Sequence, residues 1–109
     1  NHKYGPGTVT LDMRDTYYNM AEMLLPHPEI LELAHEAIVS LGGTPVYIAA
    51  RGGTDGSRLS FMGLPCPNLA TGSRGSHGRF EYVSVNEMEL CTKTLLQILR
   101  LFAAGTCLP

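Results

Sequence analysis

The chain has 109 residues with a formal net charge of −2, and 44% of them are hydrophobic. This length fits one small domain, and the near-neutral charge provides no basic patch that would indicate binding to nucleic acid or to an anionic membrane. The longest strongly apolar stretch, residues 95–104, is interrupted by Gln97 and Arg100, so it is too short and too polar to cross a bilayer.

The cysteines Cys66, Cys91 and Cys107 contain no CxxC pair, which argues against a zinc ribbon or a thioredoxin-type motif. An odd number of cysteines without a secretory signal is typical of reduced thiols in a cytoplasmic protein. Cys66 and Cys91 lie among apolar residues, and we expect both to pack as small core hydrophobes.

The first half of the chain predicts a strand, a helix and a second strand. Residues 8–15 alternate in part between apolar and polar side chains, which predicts a half-buried strand. Residues 28–41 have apolar side chains at helical spacing, begin with Pro28 and are followed by Gly42 and Gly43, so we expect a helix there. Residues 44–50 then predict a strand that leads into a glycine-rich loop.

The second half predicts short strands and a long helix. Residues 59–64 form a short apolar piece, and residues 66–71 and 80–83 predict further short strands. Ser84 and Glu87 match a capping box at the start of the last helix, with Val83 and Met88 spaced as a hydrophobic staple. The helix carries an apolar stripe of Met88, Cys91, Leu95, Ile98, Leu99 and Phe102. The whole pattern predicts an α/β fold that is part of a larger enzyme.

His77 is the strongest candidate metal ligand, because it stands in GSHGRFE between glycines that let the backbone approach a ligand. Asp55 and Glu81 are possible carboxylate partners, although nothing in the spacing requires either of them to meet His77. The remaining histidines lack a second ligand at metal-binding spacing; we expect His27 at a helix start and His35 on the solvent side of its helix.

Residues 51–68 read RGGTDGSRLSFMGLPCPN, a glycine-rich charged loop that runs into an apolar stretch. Arg51 and Arg58 flank GGTDGS, and a guanidinium there could clamp a carboxylate or phosphate. The alternative for each arginine is an ion pair with Asp55 that only shapes the loop. The GK[ST] ending of a P-loop and the GxGxxG pattern are both absent, so nucleotide binding is not expected.

RGGTDGSRLSFMGLPCPNLATG, followed by HGRFEYVSV, closely resembles the C-terminal part of peptidase T, a zinc-dependent tripeptide aminopeptidase of a di-zinc exopeptidase family. DTYYNM and HPEILELAHEAI resemble the segment that precedes this motif. The resemblance implies that residues 1–49 are the last strand, helix and strand of a dimerisation-type lid domain. It also implies that residues 50–109 are the C-terminal part of the α/β catalytic domain of a cytoplasmic enzyme.

The resemblance also implies site residues. His77 matches the family's last zinc ligand, Arg51 matches an arginine near the peptide substrate, and Asn68 matches an asparagine that is a further candidate for substrate contact. Ser73 and Ser76 depart from the family pattern, since they replace a glycine and an aromatic residue. We expect these changes to alter the path of the loop and to remove apolar cover beside the metal.

The family's site holds two zinc ions about 3.5–4 Å apart, which activate a water and polarise the scissile carbonyl. The chain contains no HxD motif and no adjacent pair of glutamates, which the family uses for other ligands and for the general base. We therefore expect a C-terminal fragment that is inactive alone, requires the missing N-terminal catalytic part and can form homo-oligomers through exposed apolar faces. The alternative is a non-catalytic binding or interaction module derived from a peptidase.

Overall fold

The computed structural model of the chain describes residues 2–50 and 52–105. Over these residues it forms four helices joined by extended segments and turns. They are α1 (Ala21–Leu24), α2 (Pro28–Ser40), α3 (Asp55–Phe61) and α4 (Val85–Ala103). Within the same residues, none of the helices combines the length and the hydrophobicity that a bilayer crossing requires.

Both predicted helices are confirmed. α2 begins at Pro28 and ends at Ser40, and Gly42 then adopts φ +79°, a conformation that suits glycine at a helix end. α4 begins after a complete capping box: Ser84 Oγ accepts the backbone N–H of Glu87 at 3.2 Å, and the Glu87 carboxylate accepts the backbone N–H of Ser84 at 3.4 Å. These local signals fixed both helix starts because they depend on neighbouring residues alone.

The predicted strands are not confirmed, and with them the α/β fold class. One isolated antiparallel bridge pairs Arg74 with Tyr82, and no strand is assigned in residues 2–50 or 52–105. Alternation predicted a buried face for residues 8–15, but Leu11 and Met13 are 77% and 79% exposed. A strand requires a neighbouring strand to satisfy its backbone, so a favourable pattern alone does not produce one.

α3 was missed because its glycine and charged residues indicated a loop. Thr54 caps the helix by accepting the backbone N–H of Ser57, and Asp55 provides an acidic residue in the first turn. Leu59 and Phe61, which belong to the short apolar piece at residues 59–64, lie in this helix. The cap and the first-turn aspartate were the signals that could have identified it.

The helices pack in two pairs and leave an open molecule. α2 packs against α4, and α1 contacts α3. Ala37 and Leu24 are the only buried apolar residues that the structure describes, whereas Cys66 and Cys91 are half-buried rather than core residues. The radius of gyration is 19.1 Å, compared with about 13 Å for a compact domain of this length.

Candidate functional site

The chain after α3 returns to pack on the N-terminal end of that helix. Thr54 Oγ1 accepts hydrogen bonds from the backbone N–H of Ser57 at 3.2 Å and from Nδ2 of Asn68 at 3.0 Å. A Cβ on Gly56 would lie 2.6 Å from the carbonyl oxygen of Cys66 and 2.7 Å from Oδ1 of Asn68. Glycine at position 56 thus permits the close approach that holds Asn68 against the helix.

Two buried serines in α3 form hydrogen bonds that hold the helix to other segments of the chain. Ser60 is fully buried, and its Oγ donates to the carbonyl four residues earlier at 2.7 Å while accepting the backbone N–H of Cys66 at 2.9 Å. Ser57 Oγ donates to the carbonyl oxygen of Tyr18 at 2.6 Å. Because each hydroxyl links α3 to a different segment, the GGTDGSRLS motif is a structural junction as well as a candidate binding loop.

A shallow cleft lies beside α3. It is lined by Thr16, Tyr17, Tyr18, Ser57, Arg58, Phe61 and Met62. The sequence left Arg58 either as an anion clamp or as an ion-pair partner of Asp55. The described residues contain no ion pair between Arg58 and Asp55. Asp55 is instead the first residue of α3, where its carboxylate is favoured by the helix dipole.

His77 lies in a loop closed by the bridge between Arg74 and Tyr82. The backbone N–H of Arg74 donates to the carbonyl oxygen of Tyr82 at 2.8 Å, and the reverse bond measures 3.1 Å. Inside the loop, the backbone N–H of Gly78 donates to the carbonyl oxygen of Gly75 at 2.9 Å. The loop therefore has an internal turn next to the histidine.

The backbone of His77 has an unusual conformation. Its φ of +65° is the only positive value at a non-glycine residue in the described part of the chain. Such a conformation costs about 1–2 kcal/mol, although histidine adopts it more often than most residues. The backbone N–H donates to Oε2 of Glu81 at 3.0 Å, while the imidazole is exposed and forms no hydrogen bond with the described residues. Both ring nitrogens are thus available to a ligand.

Glu87 joins the base of this loop to the start of α4. Its Oε1 lies 3.3 Å from Nη2 of Arg74, and a Cβ on Gly72, which has φ +77°, would lie 2.6 Å from the Glu87 Cβ. Hydrogen bonds from the side chain and backbone of Ser84, followed by the charge of Arg74, lower the pKa of the Glu87 carboxyl below its ordinary value. The loop and the helix start are therefore linked through one carboxylate.

Ser73 and Ser76 face each other before His77. Their Oγ atoms are 3.2 Å apart, and Ser73 Oγ also accepts a hydrogen bond from Thr71 Oγ1 at 3.1 Å. The three hydroxyls cross-link the segment that enters the histidine loop. Hydroxyl contacts thus connect Thr71, Ser73 and Ser76 ahead of the histidine.

Asn68 and His77, two of the predicted site residues, have different hydrogen-bond partners in the described part of the chain. Asn68 contacts α3, whereas the backbone of His77 contacts Glu81 within its own loop. Arg51 lies outside the described residues, as does Cys107. No group of three or more His, Cys, Asp or Glu side chains that could hold a metal is found in the described part.

These residues do not fit a complete zinc site, because a catalytic zinc takes three protein ligands. His77 fits as a single ligand, since its imidazole is exposed and unpaired within the described residues. The sequence indicated Glu81 as a possible carboxylate partner of His77, and the structure joins the two through the His77 backbone N–H, a contact that was not predicted. The available signal was a carboxylate four residues after a histidine in a glycine-rich loop.

No protein-family model matches the chain. The chain is nevertheless similar in sequence to curated proteins that are peptidases. More particularly, it is 50% identical over 103 residues to peptidase T from Clostridium perfringens and to peptidase T from Exiguobacterium sibiricum. It is 49% identical over 102 residues to peptidase T from Caldanaerobacter subterraneus.

Each of these three matches covers 94% of this chain and 25% of the relative. The chain is therefore similar to peptidase T over nearly all of its own residues and spans about a quarter of the length of the curated relatives it matches. The length and identity of the match are consistent with the C-terminal portion that the motifs indicate.

Proposed function

We propose that the chain is the C-terminal portion of a cytoplasmic, zinc-dependent aminopeptidase that releases the N-terminal residue from tripeptides. The observation that carries this proposal is the 50% identity to peptidase T over 103 residues. A match of that length within 109 residues includes both the GGTDGSRLS junction and the His77 loop. In the complete enzyme, residues 1–49 would belong to the lid domain and residues 50–109 to the catalytic domain.

In this proposal His77 supplies one zinc ligand, and its exposed, unpaired imidazole supports that role. Asn68 contacts the peptide substrate, and Arg51 grips the substrate carboxylate through its planar guanidinium. The remaining ligands and the general base come from outside this sequence. Zinc, when bound, polarises the scissile carbonyl. The isolated chain is inactive because one imidazole does not hold a catalytic zinc.

A chimeric enzyme tests the role of His77. This chain replaces the matching quarter of Clostridium perfringens peptidase T, and tripeptide hydrolysis is measured with zinc present. We expect an active chimera, and we expect His77→Ala to lower kcat/KM at least about 100-fold because a metal ligand is lost. His35→Ala is the matched control, since His35 is exposed on α2 and should leave activity unchanged.

The chimera is first shown to be folded by circular dichroism and gel filtration. A folded chimera in which His77→Ala retains full activity would contradict the zinc-ligand role. Loss of activity in His35→Ala alone would indicate that the imidazole in α2 was the important one.

A further inference from the structure

The carboxylate of Glu81 forms a hydrogen bond with the backbone of His77. Its Oε2 accepts the His77 N–H at 3.0 Å, and a hydrogen bond to a charged acceptor is stronger than one to a neutral oxygen. Neither arginine beside the loop competes for this carboxylate. Arg74 pairs with Glu87, and the Arg79 guanidinium lies over the ring of Phe80, 4.8 Å from its centroid.

The bond acts on a residue whose conformation needs support. Gly75 has a positive φ in the same loop, but it is a glycine and adopts that conformation at no steric cost. His77 has a Cβ, so its φ of +65° persists only if surrounding contacts favour it. Among the described residues, the Glu81 carboxylate provides the hydrogen bond to the His77 backbone.

We propose that Glu81 is a positioning residue that holds His77 in its left-handed conformation and so directs the imidazole out of the loop. Glu81 acts through the backbone of His77 and does not itself bind the metal. The identity of the ligand at His77 rests on the proposed function, whereas the hydrogen bond and its effect on the loop do not.

Nuclear magnetic resonance of the full 109-residue chain tests the bond without metal or substrate. Glu81→Ala should increase amide hydrogen exchange at His77 about fivefold, the loss expected for one solvent-exposed hydrogen bond. It should also weaken the intraresidue amide-to-Hα Overhauser effect that marks a positive φ. Glu81→Gln should preserve most of both signals, because its neutral amide oxygen accepts the same bond, although less strongly than the carboxylate.

Two comparisons separate this effect from unfolding and from loss of charge. The amide of Glu87, bonded to Ser84 Oγ, reports on the neighbouring helix start and should not change. Glu89→Ala removes the same charge from an exposed site on α4 and should leave the His77 amide unaffected. Unchanged exchange at His77 in Glu81→Ala, or equal loss in Glu81→Gln, would overturn the proposal.

The chimeric enzyme gives a functional readout. Glu81→Ala should lower kcat about 10–100-fold with little change in KM, and Glu81→Gln should restore most of the activity. If both variants lose activity while Glu81→Gln keeps the amide signals, Glu81 is itself a ligand and the proposal is wrong. If His77→Ala remains active, the proposed zinc role fails, but the amide result still decides the positioning role.

Discussion

Gly56 lies in the first turn of α3, where alanine would ordinarily favour a helix by about 1 kcal/mol. A Cβ at this position would meet the carbonyl oxygen of Cys66 and Oδ1 of Asn68. Overpacking of this kind costs about 1–3 kcal/mol. We therefore expect Gly56→Ala to destabilise the α3 junction by about 1 kcal/mol net, although helix propensity alone predicts the opposite sign.

The measurement is the thermal unfolding midpoint of the chimeric enzyme, together with amide exchange at Cys66 in the 109-residue chain. Arg58→Ala changes an exposed position of the same helix and should alter stability by less than about 0.5 kcal/mol. A rise in the midpoint for Gly56→Ala would show that the chain after α3 does not approach the helix as closely as the structure indicates.

For single residues, the sequence indicated candidates from their type and their neighbours in the chain, but it did not indicate which residues they contact. His77 was recognisable because glycines surround an isolated histidine. Its bond to Glu81 depends on how the loop closes between Arg74 and Tyr82, and loop closure is not encoded by a periodic pattern. The burial of Ser60 was likewise unpredictable, because a serine in a polar motif gives no sign that its hydroxyl will bond to the chain that follows the helix.

Among the elements, α4 has a start that should depend on pH. The pKa of Glu87 is lowered chiefly by the hydrogen bond from the Ser84 side chain, and further by the Ser84 backbone and by Arg74. A carboxyl with a lowered folded-state pKa stabilises the fold above its unfolded-state pKa and loses that contribution as the pH falls through the folded value. We therefore expect helicity to decline as the pH falls below the ordinary glutamate range.

Circular dichroism of the chain across this range tests the expectation. Glu87→Gln keeps a capping-box residue but cannot titrate, so the acid-induced loss of helicity should be smaller than in the unsubstituted chain. Glu32→Gln removes one carboxyl from the exposed side of α2 and serves as the control. Identical pH profiles for Glu87→Gln and the unsubstituted chain would contradict the role assigned to the cap.

The helices and the predicted strands differ in what determines them. α2 and α4 were predictable because proline, glycine and capping signals operate within a few residues. The segments 8–15 and 44–50 have strand-like sequences, yet Leu11 and Ile48 are 77% and 79% exposed. Strand formation depends on a distant pairing partner, so this part of the α/β prediction required information that a local pattern does not contain.

The whole molecule is more open than a compact domain of 109 residues. Its extents are 65 × 37 × 18 Å, and the apolar stripe of α4 is only partly covered. Cys91 and Ile98 are half-buried, whereas Leu95 and Leu99 are 53% and 63% exposed. The exposed apolar side chains of α4 form a surface of the kind that contacts another protein segment. We expect that segment to be the remainder of a peptidase or a second copy of the chain, and homo-oligomer formation stays a prediction.

At the scale of the whole molecule, we propose that the chain supplies part of an aminopeptidase site that other residues complete. The most direct measurement is tripeptide hydrolysis, with zinc, by the purified chain, by the remaining three quarters of Clostridium perfringens peptidase T, and by the two together. We expect no turnover by either piece alone and turnover by the mixture, which His77→Ala should abolish. Turnover by the 109-residue chain alone that disappears in His77→Ala would contradict the claim, because it would show a complete site within this sequence.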